Sequence, residues 1–242
     1  AAETCGRPPG ARPGRSSSPR WTRAACPMAA GRLTLVIPAP GSRPPPVRVL
    51  ADVITREEEA SLASQLGPLL RRRGYMRSHF DGVIEGYREL ERPLSWFDRA
   101  NRAALGRVLD AAFGSKPPPL LPAHVLELAP GVDGFIRPHV DHVGVSGACI
   151  AGLSLLSDAV MLLTHAAEPG RSVRLLLRAR SLYVLRDEAR YEWKHAILPD
   201  LRLFPRELRA APARPAPAEP DDKARRIAVV FRDEPPGRPG VA

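Results

Sequence analysis

Two histidines and one aspartate in this sequence have the types and spacing needed to hold an iron(II) ion. His139 and Asp141 lie two residues apart on a predicted strand, where residues i and i+2 point to the same side. His195, on a predicted strand much later in the chain, can supply a third ligand and leave one face of the ion open. His142 is a rival ligand, but three residues from His139 it should face the other side of the strand. The pattern is also compatible with a strand-end histidine that is hydrogen-bonded to an aspartate.

A second group of residues can bind a carboxylate. Arg226 and Arg232 lie six residues apart on the last predicted strand, so they share one face. Ala228 and Val230 lie between them on that face and make it small and apolar. A guanidinium there can bind a carboxylate through two parallel hydrogen bonds, although the arginines could also be solvated and paired with acids. Tyr183 is either a donor to the same carboxylate or a core aromatic with a wet tip. An iron site together with a site that binds a dicarboxylate is typical of a 2-oxoglutarate-dependent oxygenase.

Two helices are predicted ahead of these residues. Thr55-x-x-Glu58 forms a capping box that opens a helix reaching about Arg73, with Pro68 interrupting it. A second helix is expected over Ser95–Phe113, where alanines and Val108 form one apolar side. Gly114 and the prolines after it end this helix.

The rest of the sequence predicts a mainly β fold. Val47–Val53 reads as a short strand and Tyr75–Leu90 as a strand or hairpin. About eight short strands at this spacing indicate a sandwich or barrel, with both helices packed on one sheet. These strands are His124–Leu128, Phe135–Val140, Cys149–Leu156, Val160–His165, Val173–Leu177, Leu182–Arg186, Tyr191–Ile197 and Arg226–Arg232.

Composition divides the chain into a leader, one domain and a tail. Residues 1–46 carry seven arginines and a single acid, which suits either a mitochondrial transit peptide or a disordered terminus, and Met28 could be the true start. The domain is expected over 47–233, with a loose insertion at 199–223 and a disordered tail at 234–242. The formal charge of +10 is concentrated in the leader, so it does not by itself indicate nucleic acid. No stretch is long and apolar enough to predict a membrane span.

Several motifs resemble those of the AlkB-type iron(II)/2-oxoglutarate dioxygenases, in particular the mitochondrial branch in animals. The resemblance covers about residues 47–233 and implies a double-stranded β-helix, or jelly roll, packed on the two helices. It also implies that iron(II) is held by His139, Asp141 and His195, with 2-oxoglutarate and O2 as co-substrates. The motifs are Pro138–Asp141, Ile150–Ser157, Ser181–Arg186, Ala189–Tyr191 and Arg225–Ile227, and the expected co-substrate contacts are Tyr183, Arg226, Ile227, Ala228 and Arg232.

Departures from the family pattern bear on the substrate. Members that act on nucleic acids carry Asn-x-Tyr where this chain has Leu126 and Leu128, and polar residues where it has Ala228 and Val230. No aromatic and basic lid for a flipped base is evident. We therefore expect a protein hydroxylase of the mitochondrial matrix, linked by the resemblance to fatty-acid metabolism and damage-induced programmed necrosis. Two alternatives stay open: a demethylase of mitochondrial RNA, and a non-catalytic protein-binding module with a structural iron site.

Overall fold

A computed structural model describes residues 36–38, 43–131, 133–199 and 225–237. The described residues form three α-helices: α1 (Arg56–Arg71), α2 (Arg99–Phe113) and α3 (Asp187–Tyr191). They also form twelve strands, which are β1 (Val36–Pro38), β2 (Arg48–Leu50), β3 (Met76–Ser78), β4 (Ile84–Arg92), β5 (Ala123–Leu128), β6 (Phe135–His139), β7 (Cys149–Leu155), β8 (Ala159–His165), β9 (Ser172–Leu177), β10 (Leu182–Arg186), β11 (Trp193–Ile197) and β12 (Arg226–Arg232).

The twelve strands form one antiparallel sheet that curls into a nearly closed barrel. Its strand order is β1-β9-β8-β11-β6-β4-β5-β12-β7-β10-β2, and β3 pairs with β4 outside this path. The neighbours β5, β12, β7 and β10 are far apart in sequence, so the late strand β12 lies between the earlier strands β5 and β7. The predicted mainly β jelly roll with flanking helices is confirmed.

Two apolar clusters occupy the two faces of the sheet. The helix-side core packs α1 and α2 against β5, β7, β10 and β12, with fully buried residues such as Leu62, Leu105 and Leu153. The barrel core fills the inside of the curled sheet and includes Tyr87 and Leu163. Because successive side chains of a strand point to opposite faces, each of these four strands contributes alternate residues to both cores.

The helices begin and end largely where local sequence predicts. The capping box is formed, since the Thr55 side chain accepts from the Glu58 N–H and Glu58 accepts from the Thr55 N–H. The predicted interruption at Pro68 is wrong, because α1 continues through it to Arg71. Pro68 lies in the last turns, where its missing N–H costs one helical bond and its carbonyl still accepts from the Arg72 N–H.

The second helix starts later than predicted and a third is added. Asp98 accepts a hydrogen bond from the Asn101 N–H at 2.8 Å, so α2 begins at Arg99, and Leu94–Trp96 form a separate 3-10 turn. The expected strand Tyr191–Ile197 begins only at Trp193, because Asp187–Tyr191 form α3.

Backbone hydrogen bonds extend beyond both ends of the predicted domain 47–233. Val36–Pro38, assigned to the leader by the sequence, pairs with β9. At the other end, the Glu234 N–H donates to the Pro119 carbonyl at 2.9 Å. The predicted insertion 199–223 lies almost wholly outside the described residues, as do most of the leader and tail. None of the described helices is long and apolar enough to cross a membrane.

Candidate metal and co-substrate site

The curled sheet brings together His139, Asp141 and His195. His139 ends β6 and lies directly opposite His195 of β11, with ring centroids 4.2 Å apart. One Asp141 oxygen lies 3.1 Å from His139 Nε2 and 3.5 Å from His195 Nε2. Potential ligand atoms of the three residues all lie within 4.8 Å of one another, so this group could hold a metal ion.

The electrostatics of the group suit a cation. Burial opposes ionisation of Asp141, but the hydrogen bond from His139 and the charge of Arg232 outweigh it and hold the Asp141 pKa well below its usual range. Burial and the neighbouring His139 lower the pKa of His195 to about 3, so its imidazole is neutral. Burial also disfavours the charged form of His139, yet its bonds to Asp141 and the Arg137 carbonyl raise its pKa.

The orientation of His139 suits metal binding as well. Its Nδ1 lies 2.9 Å from the Arg137 carbonyl oxygen, which can only accept. With a proton on Nδ1, loss of the Nε2 proton to solvent would free the Nε2 lone pair, which is directed at Asp141 and His195, for a metal ion. Metal-binding histidines commonly have this arrangement, with the second ring nitrogen donating to a carbonyl.

Arg232, one of the expected co-substrate contacts, donates to the metal-binding group. Its Nε donates to the second oxygen of Asp141 at 2.8 Å. Its Nη1 lies 3.3 Å from His124 Nδ1, and the other ring nitrogen of His124 lies 2.7 Å from Glu89. This chain of bonds fixes one Asp141 oxygen and leaves the other directed at the two histidines.

Arg226 is a buried cation with two guanidinium nitrogens that find no partner among the described residues. Only 7% of it is exposed, and its Nε and Nη1 make no hydrogen bond. Burial lowers its pKa to about 10, although the charge of the nearby Tyr183 phenolate would act in the opposite direction. Ala228 and Val230 follow it on the same face and belong to the barrel core, as the sequence predicts. An unpaired guanidinium inside the barrel is suited to a carboxylate ligand.

Tyr183 also faces the barrel interior, and Gly152 makes room for it. Tyr183 on β10 lies directly opposite Gly152 on β7. A Cβ added at Gly152 would lie 2.2 Å from the Tyr183 ring, so any larger residue would displace the phenol. The sequence places Gly152 in a family-like motif but does not give this reason.

Two predicted or rival residues are not brought into the site. Ile227, expected among the co-substrate contacts, packs with its side chain in the helix-side core, because it lies between two residues that face the barrel. His142 is exposed and follows the end of β6, and it accepts a hydrogen bond from the Gly144 N–H. The metal-binding group identified among the described residues does not include it.

Arg190 is a site residue for which the sequence predicts no role. It is 1% exposed, and its guanidinium donates to three backbone carbonyls, those of Asp141, Ser146 and Gly147. It belongs to α3, which immediately precedes the strand carrying His195. Arg190 therefore ties the segment that bears Asp141 to the segment that bears His195. The only signal in the sequence was its place in the family-like Ala189–Tyr191 motif.

Comparison with known proteins identifies the family. Residues 116–232 match the model of the 2OG-Fe(II) oxygenase superfamily. The mitochondrial alpha-ketoglutarate-dependent dioxygenase alkB homolog 7 of Bos taurus is 44% identical over 191 residues, covering 77% of this chain and 80% of that protein. The chain belongs to the alkB homolog 7 family of dioxygenases. The Mus musculus member is 45% identical over 190 residues, covering 77% of this chain and 79% of that protein. This family membership confirms an enzyme that uses Fe(II), 2-oxoglutarate and O2.

Solved structures support the same fold at low sequence identity. The structure of OsALKBH1 matches with a TM-score of 0.55 at 13% identity, covering 79% of this chain and 100% of that chain. A Trichoplax adhaerens prolyl hydroxylase, in complex with a peptide fragment of the hypoxia inducible factor oxygen degradation domain, matches with a TM-score of 0.51 at 10% identity. It covers 78% of this chain and 83% of that chain.

Replacing Arg190 should weaken metal binding. We expect Arg190→Met to lower Mn(II) affinity by about ten- to a hundredfold, the usual effect of losing a group that orients a metal ligand. Titration calorimetry measures this, after circular dichroism has established that the variant is folded. Arg174→Met, which removes an exposed arginine from β9, should bind as the unaltered protein does. Equal affinities for both variants would contradict a positioning role.

Proposed function

We propose that His139, Asp141 and His195 hold iron(II), and that Arg226 with Tyr183 binds the far carboxylate of 2-oxoglutarate. The observation that carries this proposal is the unpaired Arg226 guanidinium inside the same barrel as the three-residue group. The donor set fits the expected groups. Two imidazoles and a carboxylate suit non-haem iron(II), and a guanidinium beside a phenol suits a carboxylate.

The residues of the chain prepare the site for oxidation of a C–H bond. When bound, iron(II), 2-oxoglutarate and O2 supply oxidative decarboxylation to succinate and carbon dioxide, with one oxygen atom entering the substrate. Arg232 holds one oxygen of Asp141 through its Nε at 2.8 Å, so the other stays available to the ion. Arg190 holds the backbone carbonyl of Asp141 at 2.9 Å and keeps this segment from shifting. A site that is fixed before binding needs little reorganisation during the reaction.

We propose a protein as the substrate. Val143 and Val145, in the loop after Asp141, are 60% and 58% exposed and give this side of the site an apolar surface. The exposed Arg137 beside it is paired with Glu85 at 3.2 Å, so it is not free for a phosphate. Leu126 and Leu128 face the barrel core instead of offering polar groups to a base. The same fold occurs in a prolyl hydroxylase bound to a peptide, so it is compatible with a protein substrate.

The proposed location is the mitochondrial matrix. The relatives from Bos taurus and Mus musculus are named mitochondrial, and residues 1–46 are rich in arginine and almost free of acids. The roles in fatty-acid metabolism and programmed necrosis that the resemblance implies remain predictions.

Removing a proposed iron ligand should abolish turnover. We expect His139→Ala and His195→Ala to stop 2-oxoglutarate-dependent succinate formation at limiting iron, because two remaining ligands hold the ion poorly. His142→Ala removes an exposed histidine from the loop that follows β6, and this variant should keep near wild-type turnover. The ligand assignment is wrong if either ligand variant stays active or if His142→Ala is inactive.

Arg226 should set the affinity for 2-oxoglutarate. Arg226→Leu should raise its KM roughly ten- to a hundredfold, since a hydrogen bond to a charged group contributes about 1.5–3 kcal/mol. Arg226→Lys should recover only part of this, because lysine keeps the charge but loses the planar fork. Steady-state assays with varied 2-oxoglutarate measure both. An unchanged KM in Arg226→Leu would place the carboxylate elsewhere.

The substrate class can be tested by mass spectrometry. Mitochondrial protein and mitochondrial RNA are incubated separately with the iron-loaded enzyme, 2-oxoglutarate and O2, with His139→Ala as the matched control. We expect peptides that gain the mass of one oxygen atom only with the active enzyme. Loss of methyl groups from RNA with no oxidised peptide would instead establish a demethylase. No change in either, without succinate formation, would indicate a binding module.

A further inference from the structure

A chain of charged and polar side chains extends from the metal-binding group across three strands. It runs from Asp141 to Arg232 of β12, then to His124 of β5, and ends at Glu89 of β4. The three contacts measure 2.8, 3.3 and 2.7 Å in that order. The metal and co-substrate site uses only the first of these contacts and leaves His124 and Glu89 without a function.

The three residues beyond Asp141 project to the barrel side of the sheet. Each lies directly opposite a residue of the barrel core, and direct partners in an antiparallel pair point to the same face. Because β4, β5 and β12 are neighbours in the sheet, the three side chains form one row. The pairs are Arg232 with Ile150, His124 with Val230, and Glu89 with Leu126.

The direction of the hydrogen bonds fixes the form of the His124 ring. A guanidinium can only donate, so His124 Nδ1 accepts from Arg232 Nη1 and carries no proton. The proton of the neutral ring is then on Nε2, which donates to a Glu89 carboxylate oxygen. This bond outweighs burial and holds the Glu89 pKa below its usual value, so the acceptor is ionised. His124 therefore joins a cation to an anion through its two ring nitrogens.

The surroundings of His124 and Glu89 preserve these contacts. Only 16% of the His124 side chain and 24% of the Glu89 side chain are exposed, so water competes weakly for the bond between them. The guanidinium of Arg73 donates to the backbone carbonyl of Glu89, not to its carboxylate. Glu91, directly opposite His124 on β4, is exposed, and its side chain makes no hydrogen bond within the described part of the chain.

Arg232 needs a second contact to hold Asp141 in one orientation. An arginine side chain is long and has many rotamers, so a single bond through Nε leaves the end of the guanidinium free to move. By accepting from Nη1, His124 fixes the guanidinium while Nε donates to Asp141 Oδ2. The other oxygen, Asp141 Oδ1, then stays directed at the two histidines of the metal-binding group.

We infer that His124 is a positioning residue for the metal site, and that Glu89 keeps its ring in the form that accepts from Arg232. The inference deepens the proposed function and rests on its iron site. The orientation of the carboxylate ligand then depends on a second carboxylate, on β4. His124 acts through Arg232 and does not itself contact the ion.

Three substitutions of His124 separate its two contacts. His124→Leu removes both, His124→Asn keeps an acceptor near the position of Nδ1, and His124→Gln keeps a donor near the position of Nε2. In titration calorimetry with the full chain, His124→Leu and His124→Gln should weaken Mn(II) binding about tenfold, as loss of groups that orient metal ligands does. His124→Asn should keep most of the affinity, because it can still accept from Arg232. The EPR spectrum of bound Mn(II), which reports the geometry of its ligands, should change in the first two variants only.

Two acids on β4 provide a matched pair for the other end of the chain. Glu89→Leu should also weaken Mn(II) binding, by a smaller factor, because His124 loses the group that fixes its ring. Glu91→Leu removes an acid that lies opposite His124 without a bond to it, and this variant should bind Mn(II) as the unaltered protein does. Equal losses in both variants would overturn the role of Glu89.

A measurement without metal tests the hydrogen bonds themselves. Nitrogen NMR of the metal-free protein in mildly alkaline buffer should show His124 protonated on Nε2, and Glu89→Leu should add the form protonated on Nδ1. The Nδ1 form alone in the unaltered protein would overturn the inference. Unchanged Mn(II) affinity in His124→Leu would overturn it too, as would equal losses in all three His124 variants with a lowered Tm, which would indicate a purely structural role. If the unaltered protein bound no Mn(II), the proposed iron site would fail as well; if it bound Mn(II), only this inference would fail.

Discussion

Strand alternation is the constraint on which this molecule depends. In β5, β7, β10 and β12, alternate side chains are apolar and pack against α1 and α2. The side chains between these positions face the inside of the barrel. On β12 this rule sends Ile227 to the helices and turns Arg226 and Ala228 inward. On β7 it sends Leu153 outward and Ser154 inward. A shift of one residue would exchange the two faces and remove the site, so the helix-side core fixes the register on which the chemistry relies.

Three arginines around the site have different surroundings. Arg190 donates to three backbone carbonyls, and Arg232 is paired with the carboxylate of Asp141. Arg226 keeps two nitrogens unpaired. A buried charge without a partner lowers the free energy of unfolding. Binding of a negatively charged ligand at Arg226 should therefore stabilise the protein. The first two arginines orient the metal-binding group, and the third is left for the ligand, which gives similar side chains distinct roles.

Local patterns predicted much of this from the sequence. The Thr55 capping box, the hairpin near Tyr75–Leu90 and most strands were predictable, because capping and period-two alternation are local effects. The grouping of His139, Asp141 and His195 was predicted from residue types and spacing together with the family resemblance. The pairing of Arg232 with Asp141 and the role of Arg190 were not predictable, because they depend on which strands become neighbours. The strand at Val36–Pro38 was not predicted for two reasons. Its composition resembles that of a leader, and its partner β9 lies far along the chain.

One barrel interior is proposed to bind both the ion and the far carboxylate of the co-substrate. A crystal structure of the full chain with Mn(II) and 2-oxoglutarate, with the ion located by anomalous scattering, tests it most directly. We expect an ion bonded to His139, Asp141 and His195 at roughly 2.0–2.3 Å, and a carboxylate within hydrogen-bonding distance of the Arg226 guanidinium. An ion bound by other residues, or 2-oxoglutarate bound with Arg226 still unpaired, would contradict it.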